Sequence, residues 1–89
     1  MRFTWDAAKA RSNWKKHRVA FAEAATVFAD PLALYLQDDV RPDRGILIGQ
    51  SEAARLLCTV FVEIVGDEIR LISARRATAH ERRGYEQGV

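Results

Sequence analysis

The stretch "ISARRATAHERRGYE", residues 72–86, packs Arg75, Arg76, His80, Arg82, Arg83 and Tyr85 into a few turns of chain. Each of these side chains can hold a phosphate or move a proton. Arginine grips phosphate oxygens through a planar fork that stays charged, and histidine exchanges protons near neutral pH. The set suits metal-free cleavage of a phosphodiester. That reaction needs a base to take the 2′-hydroxyl proton, cations for the charge of the pentacoordinate transition state, and an acid for the departing 5′-oxygen. Other chemistries lack their residues. His17 and His80 are far apart in sequence, neither has a carboxylate at ligand spacing, and Cys58 is the single cysteine, so no metal site is expected. No glycine-rich phosphate loop, nucleophile elbow or Cys–His pair of recognisable spacing is present, and no cofactor is implied.

These residues sit where a strand hands over to a helix. "EIRLISAR" reads as a strand whose alternation places Ile69, Leu71, Ser73 and Arg75 on one face and Arg70, Ile72, Ala74 and Arg76 on the other. Arg75 and Arg76 then cannot serve one pocket from the strand itself, and Arg76 reads equally as a solvated rim charge. Thr78-Ala-His-Glu81 is a capping box, so a helix is expected from Thr78 towards Gln87, with Gly88 ending it. Glu81 is thereby a capping partner as well as a candidate for chemistry, and Arg82 and Glu86 can pair across a turn.

Upstream, "RFTW" reads as a short strand and Asp6 as the cap of a helix over "AAKARSNWKKH". Ala7, Ala10, Trp14 and His17 give it a narrow apolar stripe, with Lys9, Lys15 and Lys16 largely outside. Phe21, Ala24, Ala25 and Phe28 fall at i, i+3, i+4 and i+7 in a second helix that Asp30-Pro31 stops. Trp5, Trp14, Phe21 and Phe28 are expected in the core. "LALYLQ" is a strand or an extended link, and "DDVRPDRG" a loop. "RGILIGQ", "RLLCTVFVEIV" and "EIRLISAR" follow at hairpin spacing, the second apolar on both faces, with Gly66-Asp67 as a two-residue turn. The expected fold is α+β: a small antiparallel meander sheet packed by two N-terminal helices and one C-terminal helix, in a single domain over residues 1–89.

Charge is segregated along the chain. Residues 1–18 hold six Lys or Arg against one Asp (+5), residues 19–69 three Arg against nine acids (−6), and residues 70–89 five Arg against two Glu (+3). If the basic ends meet in the fold they make a patch for a polyanion. Cys58 lies in the apolar run "LLCTVFVEIV" and reads as a small core residue. No signal peptide or membrane span is recognisable, so the expected compartment is the cytoplasm.

Taken together, "FTWDAAKARSNWKKHRVAFAEAATVFADP", "ILIGQSEAARLL" and "IRLISARRATAHERRGYE" resemble the BrnT toxin family over residues 3–86. The combination of W-D-x-x-K, K-H-x-V-x-F, D-P, I-G-x-S and I-S-A-R-x-A-x-x-x-E-R-x-x-Y-E is far more specific than any one part. The resemblance implies a RelE-like fold and a type II toxin that cleaves RNA, stopping translation and growth. It also implies a BrnA-like antitoxin whose ribbon-helix-helix portion binds promoter DNA, so that the toxin meets DNA only through its partner. The matching positions are Lys16, His17, Arg55, Arg75, Glu81, Arg82 and Tyr85. Arg75, Arg82, His17, Tyr85 and Glu81 are the catalytic candidates, and Lys15, Lys16, Arg55, Arg76, His80 and Arg83 the RNA-binding ones. The chain departs from the family pattern at Arg18 and Ala54, where glycine is usual, and at Ala20, where a capping serine is expected.

Structural alternatives stand beside these roles. His17 can serve as a cation at its helix's C-terminus, and Tyr85 can pack against the first helix. The rival function is a binding module that holds nucleic acid or protein on the same basic face without chemistry.

Overall fold

Local signals start and stop the helices where their residues demand. In a computed structural model, which describes residues 1–88, helix α1 spans Ala7–His17. Asp6 caps it by accepting from the Ala8 and Lys9 N–H groups at 2.7 and 3.1 Å, bonds that hold the carboxyl below its usual range. Lys15, Lys16 and His17 fill the last turn, where cations oppose the helix dipole. Arg18 ends the helix in the left-handed region at φ +55°. Helix α2, Phe21–Thr26, begins at Ala20 with no side-chain cap and runs into a 3-10 turn over Val27–Ala29. Helix α3, Ala79–Gln87, has the complete Thr78–Glu81 capping box and ends at Gly88 with φ +71°. No helix among the described residues is long and apolar enough to cross a membrane.

Five strands, β1 Arg2–Thr4, β2 Leu34–Gln37, β3 Arg44–Gln50, β4 Leu56–Ile64 and β5 Glu68–Arg76, form one sheet in the order β1-β5-β4-β3-β2. From β2 to β5 it is the expected antiparallel meander, with "LALYLQ" supplying the edge strand β2. The first strand changes the class of the sheet, because β1 pairs parallel with β5 and makes it mixed. A three-residue strand carries no local mark of the edge it will join. The β4–β5 turn also differs from the two-residue form. Val65-Gly66-Asp67 separate the paired Ile64 and Glu68, with Gly66 and Asp67 both at positive φ.

The sheet carries a core on each face. On one, Val19, Phe21, Ala24 and Val27 pack on Leu47, Leu57, Phe61, Leu71 and Ala74. On the other, Ile48, Leu56 and Cys58 pack with Leu34, Ile46, Ala77 and Tyr85 beneath α3. Strand β4 is buried on both sides, as its unbroken apolar run requires. Leu57 and Ile48, fully buried on opposite faces, each contribute about 1.5–3 kcal/mol.

Three packing expectations are corrected. The buried position of α1 is Asn13, with Ala10 beside it; Trp14 is 47% exposed and Trp5 38% exposed, because α1 meets the rim of the sheet rather than its centre. Tyr85 packs on the face opposite α1, so it does not lean on the first helix. The alternation of β5 is broken. Val60 pairs with Ser73 but Phe61 with Leu71, leaving Ile72 as an extra residue in a β-bulge. Beyond the bulge the faces exchange: Ala74 joins Ile69 and Leu71 in the first core, and Arg75, opposite Cys58, turns to the α3 side.

Candidate active site

The bulge delivers Arg75 to Glu81. Arg75 Nη1 donates to Glu81 Oε1 at 2.8 Å and Nη2 to Oε2 at 2.9 Å, while Nη1 also donates to the Arg76 carbonyl at 3.1 Å. Of the five N–H groups of a guanidinium, these bonds occupy three. The Nε–H and the second Nη2–H have no partner among the described residues, and they lie side by side as the fork that grips a phosphate. Glu81 is fastened in turn, since Oε1 also accepts the Thr78 N–H at 2.8 Å. The Arg75 guanidinium, first of all, holds the Glu81 carboxyl down at about 2. The capping box and the ion pair are therefore one device, which fixes a charged arginine whose side chain is 41% exposed. Beneath them burial pushes the Cys58 thiol up to about 11, so it stays protonated and packs as a core residue.

Arg55 uses its other fork. Its Nε donates to Glu23 Oε2 at 2.9 Å and its Nη2 to Glu23 Oε1, with a further bond from Nη2 to the Arg18 carbonyl at 3.2 Å. Ser51 Oγ donates to the same carboxylate at 2.7 Å. Arg55 and Ser51 together hold the Glu23 carboxyl below its usual range, with Arg76 adding a weaker pull from the same side. Arg55 thus ties the β3–β4 loop to the α1–α2 turn, and its side-on fork is committed.

The remaining candidates surround that end of the sheet without sharing one face. Lys16 and His17 line a cleft of about 220 Å³ with Lys9, Ser12 and the bulge residues Ile72 and Ser73. Lys15 is exposed beside them, and Arg76, His80, Arg82 and Arg83 are exposed as well. Lys16 lies on the α1 side and Arg75 on the α3 side, so the basic ends flank the outer rim of β5 instead of forming one flat patch. Tyr85 donates its hydroxyl to Asp30 Oδ2 at 2.6 Å, and that bond raises its pKa above the usual tyrosine value. A larger open groove, about 520 Å³, carries Asp30 and Glu52 and has the wrong sign for a phosphate. Among the described residues no three His, Cys, Asp or Glu side chains gather as a metal would require.

Sequence reasoning missed three positioning residues. Asn13 donates Nδ2 to the Val19 and Ala74 carbonyls at 2.9 and 2.8 Å and accepts the Ala74 N–H at 3.0 Å. Its carboxamide thus completes the edge of β5 beyond the end of β1. Glu23 holds Arg55, and Asp30 joins Tyr85 to the Gln50 N–H at 2.8 Å. Asn13 could have been noticed as a polar residue four places before His17 on the inward side of an amphipathic helix. Glu23 and Asp30 bear no local mark of their partners.

The fold and this corner define a small α+β protein with a mixed five-stranded sheet, helices on both faces and a cationic strand-to-helix junction. A family model described as the ribonuclease toxin, BrnT, of type II toxin-antitoxin systems matches residues 5–81, and the chain belongs to that family. The crystal structure of the Brucella abortus ribonuclease toxin BrnT has the same fold, with a TM-score of 0.73 and 24% sequence identity over 88% of this chain and 97% of that one. No curated protein matches the chain. Membership of a type II system implies an antitoxin partner.

Proposed function

We propose that the chain is a metal-independent endoribonuclease that cleaves RNA by attack of the 2′-hydroxyl on the adjacent phosphate, and so arrests translation and growth in the cytoplasm. The observation that carries this reading is the open side-on fork of Arg75, braced from the other end by Glu81. A donor fixed before the substrate arrives stabilises the transition-state charge without reorganising. Glu81, with its carboxyl down at about 2, holds no proton near neutrality. Its part is to aim Arg75, and the proton transfers fall to other groups. His17, exposed at the end of α1, is the candidate for one of them. Tyr85 keeps its proton near neutrality and so is not the base, and it could serve as an acid only by exchanging its bond to Asp30 for one to the substrate. Lys15, Lys16, Arg76, His80 and Arg83 bind the RNA backbone, and Arg82, exposed on α3, is the second arginine proposed for the reacting phosphate. Arg55 contributes by holding the α1–α2 turn in place. The partner is a BrnA-like ribbon-helix-helix antitoxin that covers the cationic rim and carries the complex to promoter DNA.

Growth arrest on induction in bacteria, paired with cleavage of RNA in the presence of EDTA, tests the reading. Arg75→Ala is expected to abolish toxicity and to slow cleavage by about 100-fold or more, the usual effect of removing one preorganised donor. Its circular dichroism should be unchanged, and it should still bind the antitoxin. Arg75→Lys rescues poorly because the fork is gone. A folded Arg75→Ala protein of full toxicity defeats the assignment.

A further inference from the structure

Helix α1 carries an aromatic side chain that neither core uses. Trp14 is 47% exposed, and the guanidinium carbon of Arg18 stands 5.6 Å from the centroid of its ring. Arg18 adopts φ +55°, a conformation that costs a residue bearing a Cβ about 1 kcal/mol and that glycine takes freely. Its backbone is pinned from both ends. The N–H donates to the Trp14 carbonyl at 2.9 Å, and the carbonyl accepts from Arg55 Nη2 at 3.2 Å. The chain therefore keeps an arginine where the backbone favours glycine, and the side chain gained by this strain lies on an exposed tryptophan. Strain of this kind points to function when the surroundings hold it in place. Arg11 and Lys15, three residues before and one after Trp14, are also exposed. A π-face among cations meets both needs of single-stranded RNA, which stacks its bases and neutralises its backbone.

We infer that Trp14 and Arg18 form a stacking platform for one unpaired nucleobase of the RNA. The inference rests on the ribonuclease reading and adds to it a contact that phosphate-binding residues cannot supply. The Arg18 guanidinium stands over the indole, and the base stacks on the surface the pair presents, since indole rings and guanidinium planes both receive unpaired bases. Arg55 fixes the platform to the start of β4, beside the end of β5 that brings Arg75 and Arg76 to the rim, since Leu57 pairs with Arg76. Stacking reads no base edge, so the platform selects unpaired over paired RNA and sets the register of the strand.

A labelled 2′-O-methyl RNA, whose blocked 2′-oxygen cannot attack, allows binding to the wild-type protein to be followed by fluorescence anisotropy without cleavage. Trp14→Ala should weaken binding by about 5- to 100-fold, the range for loss of one base–aromatic stack. Trp14→Leu, which keeps the apolar bulk, should weaken it comparably, and Trp14→Phe should retain most of the affinity; far-UV circular dichroism establishes that each variant is folded. Abasic substitutions walked along the RNA should reveal one position that weakens wild-type binding and makes Trp14→Ala of no further effect. Unchanged RNA affinity in folded Trp14→Ala and Trp14→Leu overturns the platform, and if those variants instead weaken the antitoxin complex the surface is a protein contact. Failure of the wild-type protein to bind any RNA overturns the ribonuclease reading itself.

Discussion

At the scale of single residues the Arg75–Glu81 pair joins stability to the proposed function. The pair lowers the Glu81 carboxyl from its ordinary value of 4.5 to about 2. A depressed carboxylate stabilises the fold above its unfolded pKa, and that contribution is lost as pH falls through the folded one. The stabilisation should therefore be fully present above about pH 5 and disappear towards pH 2. It amounts to about 1–2 kcal/mol once solvent screening of the partly exposed Arg75 is allowed for. Urea denaturation at pH 7 and pH 2.5 checks this: Glu81→Gln should be less stable than the wild type at pH 7, and the difference should shrink at pH 2.5. A constant difference would show that the charge of the Glu81 carboxylate contributes nothing to stability. The same variant should lose most of its RNA cleavage at pH 7 while retaining RNA affinity within a few fold, because Arg75 stays charged but is no longer aimed.

At the scale of elements the site depends on how α1 meets β5. Among the described residues only Asn13 satisfies the edge of β5 at Ala74, and its carboxamide does so as a neighbouring strand would, donating to the carbonyl and accepting from the N–H of the same residue. The third bond, to the Val19 carbonyl, fixes the α1–α2 turn and with it Arg18. Asn13→Ala removes three buried bonds and leaves backbone groups without water or partner, a loss of about 2–4 kcal/mol. Asn13→Asp should be nearly as damaging, since a carboxylate cannot donate to either carbonyl. Thermal or urea unfolding of the two variants measures the effect, and a change below about 1 kcal/mol in both would show that water replaces the amide. The bulge at Ile72 acts on the same joint. By turning the strand over, it sends Arg75 towards α3 and keeps Ala74 against α1 and α2, so neighbouring residues serve a charged corner and a dry core.

At the scale of the whole molecule the positive ends of the chain do not converge on one face: the cations of α1 and those of α3 flank the end of β5 from opposite sides of the sheet, while acids occupy the groove at Asp30 and Glu52 and the loop at Asp38, Asp39 and Asp43. A strand of RNA that follows the rim is steered by this asymmetry and released by salt. With about four phosphates neutralised, affinity should fall by roughly 50-fold or more between 50 and 200 mM monovalent salt. Anisotropy titrations of the 2′-O-methyl RNA at several salt concentrations test it, and a flat profile would remove the electrostatic basis of the RNA face. Under the proposed function an antitoxin that silences the protein would cover the same surface. Acidic and apolar side chains on the partner would match the cations of α1 and α3 and the exposed indole of Trp14.

What the sequence determined by itself is what neighbouring residues settle among themselves. Asp6 and the Thr78–Glu81 box start their helices because a cap needs only a side chain two or three residues from an unpaired N–H. The apolar run of β4 marks a strand covered on both sides for a similar reason, since burial on each face leaves no place for alternation. The charged residues of the final helix, and the family they belong to, were legible in the same way. Tertiary structure decided the rest. Which edge β1 joins, where the ladder slips at Ile72, and that Asn13 would be buried while Trp14 stayed exposed all depend on partners far along the chain. The site shows the division most clearly: alternation along an uninterrupted β5 puts Arg75 with Leu71, yet one extra residue opposite β4 turns it to the other face. Only there does its guanidinium meet Glu81, because side-chain direction in a strand has a period of two and a single bulge inverts it for every residue that follows.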